Sequence, residues 1–243
     1  AQLVVGVVAH RDLAPESRPQ VEAAVREFLL GLRAAYPALP VAVMSALAEG
    51  GDRWVAHCAL ALDMALIAPL PLPPAQYEAD FADAASRTEF AALCAKARVR
   101  VLPHAAGTDA GDRERQYARV GVFIASHCQL LLALWDGRPS EGLGGTADVV
   151  GFHLSGEMPG LPLDDAPPNL LAEDDSDLVF HLLCPRARDA AAEPLRSRWL
   201  LRSQRHCQLQ IPRQPSPNQR SPSQPNPKAH LQGIDRCRKG SSS

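Results

Sequence analysis

The sequence predicts an α/β domain, a three-layer sandwich with helices on both faces of an open, mainly parallel sheet. Short apolar runs such as Leu3–Ala9 and Leu130–Trp135 have the pattern of strands that are buried on both faces. Segments of helical periodicity separate these runs, and such alternation implies right-handed crossovers in a parallel sheet. With 46% hydrophobic and 21% charged residues, the chain can bury one substantial core.

The first half of the chain shows three strands and two helices. Apolar residues at helical spacing from 21 to 36 predict the first helix, which Pro37 ends. Residues 41–44 form the second predicted strand. Asp52 is expected to cap a helix that runs to about residue 62, and the third strand follows at 64–69.

The same alternation continues through the second half. Its predicted elements are a helix at 86–97, a strand at 98–102, a helix at 112–128, the fifth strand at 130–135 and a helix that reaches about residue 154. Residues 177–183 are expected to add a sixth strand at an edge of the sheet.

The composition changes after about residue 190, which sets the predicted boundary between a folded domain, 1–190, and a disordered Pro/Gln/Ser/Arg-rich tail, 191–243. Within the tail, residues 212–227 contain six prolines and almost nothing apolar to bury. The abrupt change also fits a frameshifted or artefactual end. Deleting residues 194–243 is therefore expected to leave the thermal midpoint of the domain nearly unchanged.

Charge is distributed unevenly along the chain. Residues 1–193 contain 15 basic and 26 acidic side chains, a net charge of −11, whereas residues 194–243 carry a net charge of +9. Because the phosphate backbone of nucleic acid binds basic surfaces, the acidic domain argues against nucleic acid as a partner.

Other compositional features favour a cytoplasmic protein without a metal site. The most apolar stretch, residues 64–72, is too short for a membrane span and is interrupted by prolines. The chain opens directly on a strand-like run with no basic n-region or cleavage site, so either the true start is missing or little precedes the first strand, and neither case suggests export. The six cysteines form no C-x-x-C pair and no Cys/His cluster, which favours free thiols in a reducing compartment.

Two loops at the carboxyl edge of the predicted sheet carry candidate ligand-binding residues, because ligands of open α/β sheets bind at that edge. After the first strand, Arg11 is suited to pair with a phosphate and His10 to donate a hydrogen bond or act as an acid or base. After the second strand, Gly50 and Gly51 would allow a ligand to approach the backbone, and Glu49 would accept ribose hydroxyls. The alternatives are a solvated strand exit and a tight turn.

The third candidate loop, "EGLGGTADVV" at 141–150, follows the fifth strand. Gly144 and Gly145 would present backbone N–H groups to a phosphate at the start of a helix, and Thr146 would cap that helix or contact the anion. Asp148 is suited to hold a ribose or to stabilise the helix start. Before the loop, Trp135 and Asp136 stand where a base would stack and a hydroxyl would be held, although a tryptophan at a strand end usually serves packing.

Taken together, "VGVVAHRDL", "ALAEGGDRWVA" and "LLLALWDGRPSEGLGGTADVV" resemble the SLOG superfamily of Rossmann-like nucleotide-binding domains. This superfamily includes the LOG proteins and the Rossmann part of the DNA-processing protein A family. The resemblance covers roughly residues 1–155 and is closest to uncharacterised bacterial members in which Trp-Asp-Gly precedes a Gly-Gly-Thr loop. It implies a Rossmann-like fold and a bound nucleotide or nucleotide-derived ligand.

The third loop departs from the P-G-G-x-G-T-x-x-E loop of the LOG phosphoribohydrolases, whose acidic residue serves catalysis. Aligning Gly145 and Thr146 with that motif places Val149 at the catalytic glutamate, and Asp148 falls one residue earlier. On a helix of 3.6 residues per turn, this shift rotates the side chain by about 100°. The same alignment places Glu141 at the proline of the motif and Leu143 at its second glycine. A phosphate loop is still expected here, whereas the hydrolase activity is not.

The leading hypothesis is therefore a module that binds or senses a nucleotide-type ligand, with no cofactor of its own and with homo-oligomerisation left open. One alternative is a nucleotide N-glycosidic hydrolase that uses Glu49 or Asp148 as the acid/base. The other is single-stranded DNA binding, which the net charge of the domain disfavours. The candidate ligand-binding residues are His10, Arg11, Glu49, Gly50, Gly51, Asp136, Gly144, Gly145, Thr146 and Asp148.

Overall fold

The computed structural model describes residues 1–103, 110–162, 178–189 and 195–201, all of which belong to the unit Ala1–Gln210. Its strands are β1 Leu3–Ala9, β2 Val41–Met44, β3 Ala65–Leu70, β4 Arg98–Val101, β5 Leu130–Trp135, β6 Leu178–Leu183 and β7 Arg196–Leu201. Its helices are α1 Arg18–Ala35, α2 Gly51–Ala61, α3 Pro74–Tyr77, α4 Ala84–Cys94, α5 Ala110–Ser126 and α6 Thr146–Ser155.

The seven strands form one sheet in the order β4-β3-β2-β1-β5-β6-β7. All neighbouring strands are parallel except β7, which pairs with β6 in the antiparallel direction. The α/β class and the open, mainly parallel sheet predicted from the sequence are confirmed. The strand order reverses between β1 and β5, whose carboxyl ends lie side by side with Ala9 opposite Leu134. This switch point is where ligands of doubly wound sheets bind.

Helices cover both faces of the sheet, as the unbroken apolar strands require. Along β1, Val5 and Val7 belong to the core that also includes residues of α1, α2 and α4, whereas Val4 and Val8 belong to the core formed with α5 and α6. Alternate residues of one strand therefore enter different cores, and the sheet is the middle layer of a three-layer sandwich.

Two sequence predictions differ from the structure at the far side of the sheet. Strand β6 is not an edge strand, because β7 pairs with it along its whole length. Strand β7 lies inside the segment for which composition predicts disorder, and Trp199 of this strand packs on Phe28 and Phe180. The expectation that residues 194–243 contribute no burial is thus wrong for β7. For residues beyond Leu201, which are not described, the tail remains a prediction.

Among the described residues, none of the helices combines the length and the apolar character needed to cross a membrane.

Candidate ligand site at the switch point

His10 and Asp136 meet where β1 and β5 end. The two strands hold the loops together, since the N–H of His10 donates to the carbonyl of Leu134 over 3.0 Å. The His10 Nε2 atom lies 3.1 Å from Asp136 Oδ1, and the two side chains are only 14% and 6% exposed. Two residues 126 positions apart in sequence, both predicted as ligand-binding, are therefore direct neighbours at the switch point.

The Asp136 carboxyl is held in its charged form. Burial opposes ionisation, but a hydrogen bond from the Arg138 N–H, the contact with His10 and the charge of Arg186 together hold the pKa of Asp136 below its usual range. Oδ1 accepts the hydrogen bond from Arg138 over 3.0 Å. Oδ2 is buried and has no partner among the described residues. One oxygen of this carboxylate thus lacks the hydrogen bond that a buried acceptor usually has.

Arg11 places a positive charge beside this pair. Its guanidinium lies 5.3 Å from the ring centroid of Tyr117 on α5, within the range of a cation–π contact. Arg11 is exposed, and within the described ranges no carboxylate forms an ion pair with it. The buried hydroxyl of Tyr117 likewise has no partner there. Arg11 is therefore positioned by an aromatic ring and keeps its donors for an anion.

The loop after β2 uses its predicted site residues for contacts within the protein. Glu49 accepts hydrogen bonds from the Ala82 N–H, over 2.9 Å, and from the Ser86 hydroxyl at the start of α4. The N–H of Gly51 donates to the carbonyl of His10 over 3.2 Å. The close backbone approach that the two glycines predict is thus made to the loop after β1.

Asp52 is a buried acid that the sequence analysis assigned as a helix cap. The cap position belongs to Gly50, because α2 already begins at Gly51, so Asp52 is in the first turn and only 4% exposed. Burial raises the pKa of Asp52 to about 7, in opposition to hydrogen bonds from the Ala48 N–H and the Ser45 hydroxyl and to the charge of Arg11. The burial of Asp52 depends on contacts between distant segments, which the local sequence pattern does not report.

Asp52→Asn is expected to flatten the pH dependence of stability between about pH 4 and pH 7. The folded protein holds the Asp52 proton up to about pH 7, whereas the unfolded chain releases it near the ordinary value of 3.8. The contribution of Asp52 to the free energy of unfolding is fully present below pH 4. It decreases, on the order of 1 kcal/mol per pH unit, as the pH rises to about 7. Urea unfolding at half-unit pH intervals would measure the slope.

Glu27→Gln is the matched control, because Glu27 lies exposed on α1. This variant should keep the wild-type slope. An unchanged slope in Asp52→Asn would show that the carboxyl is already ionised in the folded protein at pH 5 to 6.

The loop between β5 and α6 binds carboxylates of the protein itself. The N–H of Leu143 donates to Glu114 Oε1 over 2.7 Å, and the N–H of Gly144 donates to Asp148 Oδ2 over 3.0 Å. Gly144 has φ +77°, and a Cβ atom there would lie 2.5 Å from the Cα of Ala118 on α5. The N–H of Gly144, which was predicted to contact a phosphate, is thus taken by a carboxylate of the protein itself, and Asp148 is directed towards the loop.

The first turn of α6 has further N–H donors. Gly145 is the N-cap and the helix begins at Thr146, which is 9% exposed. The N–H of Asp148 is taken by the Gly145 carbonyl and the Ser140 hydroxyl. Within the described ranges, the N–H groups of Gly145, Thr146 and Ala147 have no such acceptor.

An ion-pair network at the rim of the site was missed in the sequence. Arg186, in the loop after β6, donates from Nε to both carboxylate oxygens of Asp12 over 2.9 Å. Glu141 contacts Arg186 and Arg188, and Arg138 pairs with Asp189. Because β6 was expected at an edge of the sheet, no site residue was predicted in the loop that follows it. That loop nevertheless lies at the same end of the sheet as the loops after β1 and β5.

Trp135 serves packing rather than offering a bare face to a base. Its ring stacks on His181 with a centroid distance of 4.8 Å, and its Nε1–H donates to the carbonyl of Arg138 over 2.7 Å. These contacts fix the turn that carries Asp136.

Comparison with solved structures finds partial similarity to two DNA processing proteins. DNA processing protein A from Streptococcus pneumoniae is similar with a TM-score of 0.37 and 19% identity over 54% of this chain and 41% of that one. A structure titled for the single-stranded DNA binding mode of DNA processing protein A from Helicobacter pylori is similar with a TM-score of 0.35 and 16% identity over 54% and 53% of the two chains. At these identities the likeness concerns the fold, and this chain spans about half or less of each protein.

No protein-family model matches the sequence, and no curated protein matches it. The exclusion of nucleic acid as a partner has to be corrected, because the Helicobacter pylori protein is described as binding single-stranded DNA. Net charge summed over a whole domain does not report the local potential of a binding groove.

Proposed function

We propose that this protein binds a nucleotide-type ligand across the switch point, with Arg11 contacting its phosphate. The observation that carries the proposal is the joining of His10 and Asp136 beside an exposed arginine, at the point where strand order reverses. Arg11 supplies a charged donor, and Asp136 supplies a buried acceptor for a sugar hydroxyl or a base amino group. Free N–H groups at the start of α6 support a second anion contact.

Two kinds of ligand carry the groups that these residues would bind: a free nucleotide and the nucleotide units of single-stranded DNA. Both present a phosphate, a sugar and a base to the same residues. They differ in the number of phosphates engaged, and binding of a polyanion weakens steeply as salt rises. The N-glycosidic hydrolase receives less support, since Glu49 is bonded to the start of α4 and Asp148 to the Gly144 N–H. The cytoplasm remains the expected location, because Cys58, Cys94 and Cys184 are free thiols.

Arg11→Ala is expected to weaken nucleotide binding by about 1.5–3 kcal/mol, the usual worth of a hydrogen bond to a charged group, or roughly 10- to 100-fold in Kd. Calorimetric titration with AMP, GMP, CMP, UMP and ADP would measure this effect, with a thymidine oligonucleotide at two salt concentrations as the DNA arm. Chromatography of the AMP mixture for free adenine tests hydrolysis.

Arg87→Ala provides a control of equal charge change, because Arg87 lies exposed on α4. Equal weakening in both variants would mean that only the overall charge matters. Wild-type protein that binds neither the nucleotides nor the oligonucleotide would overturn the proposal.

A further inference from the structure

The buried carboxyl of Asp52 lies in the helix turn that is fixed against Arg11. The N–H of Gly51 donates to the carbonyl of His10, and a Cβ atom on Gly50 would lie 2.2 Å from the carbonyl oxygen of Arg11. The first turn of α2 and the loop after β1 therefore touch through their backbones. The charge of Arg11 lies near enough to favour the ionised form of the Asp52 carboxyl.

Four elements place polar or charged groups around this carboxyl. The hydroxyl of Ser45 and the N–H of Ala48 come from the loop after β2, and Arg11 comes from the loop after β1. Arg53 of α2 is engaged elsewhere, since its Nη1 lies 3.1 Å from Glu89 Oε2 and its guanidinium covers the ring of Phe81. Tyr77 of α3 is buried, and burial raises the pKa of its phenol well above the ordinary value, so it stays neutral.

The Asp52 carboxyl is also incompletely satisfied. Oδ1 is buried and has no hydrogen-bond partner among the described residues. A buried carboxylate with one bare oxygen is costly, and a neutral carboxylic acid is less so. Of the surrounding charges, Arg11 is the exposed cation that a ligand can reach, and its charge favours the ionised form of Asp52.

We propose that binding of an anion at Arg11 makes Asp52 take up one proton from solvent. The anion cancels the positive field of the guanidinium, which removes the charge that favours the Asp52 carboxylate, so the buried group becomes the neutral acid. Asp52 is thus a positioning residue that couples affinity to pH. The inference rests on the proposed function, because it requires an anionic ligand at Arg11.

The direction of the pH effect follows from linkage. The pKa of Asp52 is about 7 in the unliganded protein, so the group titrates near neutrality. If binding raises that pKa by about one unit, affinity rises about tenfold as the pH falls from 9 to 6. AMP also titrates in this range, and only a comparison between variants isolates Asp52.

Calorimetric titration of the full chain with AMP at pH values from 6 to 9, each in two buffers of different ionisation enthalpy, gives the number of protons taken up and the pH midpoint of this uptake. We expect the wild type to take up more protons than Asp52→Asn, because the ligand contributes equally to both. Ser45→Ala removes a hydrogen bond to the carboxylate, so it should keep the extra proton uptake and move its midpoint to higher pH. Glu27→Gln should behave as the wild type.

Equal proton uptake by the wild type and Asp52→Asn, with AMP bound by both, would overturn this inference and leave the proposed function standing. An unmoved midpoint in Ser45→Ala would also overturn it, and this variant serves if Asp52→Asn fails to fold. Absence of AMP binding by the wild type would overturn the inference together with nucleotide binding.

Discussion

Replacing Gly50 by alanine is expected to lower the free energy of unfolding by at least about 3 kcal/mol. Gly50 has φ +79° and ψ −130°, a conformation that residues with a side chain rarely adopt. In addition, a Cβ atom would lie 2.2 Å from the carbonyl oxygen and 2.7 Å from the carbonyl carbon of Arg11. Neither backbone can yield without separating α2 from the loop after β1.

Gly31→Ala is the matched control for this effect. Gly31 lies exposed on α1, and no atom lies within 4 Å of the position that its Cβ would take. Alanine there should stabilise the protein by about 0.5–1 kcal/mol, because it favours the helix more than glycine does. Chemical denaturation of both variants provides the comparison. Equal stability of the two would mean that the loop after β2 does not approach Arg11 in solution.

Trp199→Ala is expected to cost about 2 kcal/mol of stability, less than loss of a fully buried aromatic side chain, because the indole is partly buried against the core. The indole lies 5.0 Å from the ring of Phe180 on β6 and 6.1 Å from that of Phe28 on α1, and these two phenylalanines stack at 4.3 Å. Truncation before β7 should therefore lower the thermal midpoint by several degrees. Thermal unfolding followed by circular dichroism would measure both changes.

Leu201→Ala is a suitable control on the same strand, because Leu201 is 40% exposed and should cost less than 1 kcal/mol. A chain that ends at Leu201 keeps β7 and separates its contribution from that of the residues beyond it. If Trp199→Ala is no more harmful than Leu201→Ala, β7 does not pack as described.

Much of the sandwich was determined locally by the sequence. The predicted bounds of β1, β2 and β5 agree with the structure, because an unbroken apolar run of strand length is stable only when both faces are covered. Crossover connections then require the parallel order, and with it a common edge for the loops that carry His10 and Asp136. The candidate residues at this edge followed from position alone.

Contacts between distant segments were decided only by the tertiary structure. Asp52 resembled an exposed cap in sequence, but the approach of α2 to the loop after β1 buries it and gives it a pKa of about 7. Strand β7 resembled the start of a disordered tail in sequence. It is stabilised by packing on Phe28 and Phe180, which are far away in the chain. Local pattern reports what a segment can form, whereas burial, pairing and pKa depend on which segments meet, and that information is distributed over the whole chain.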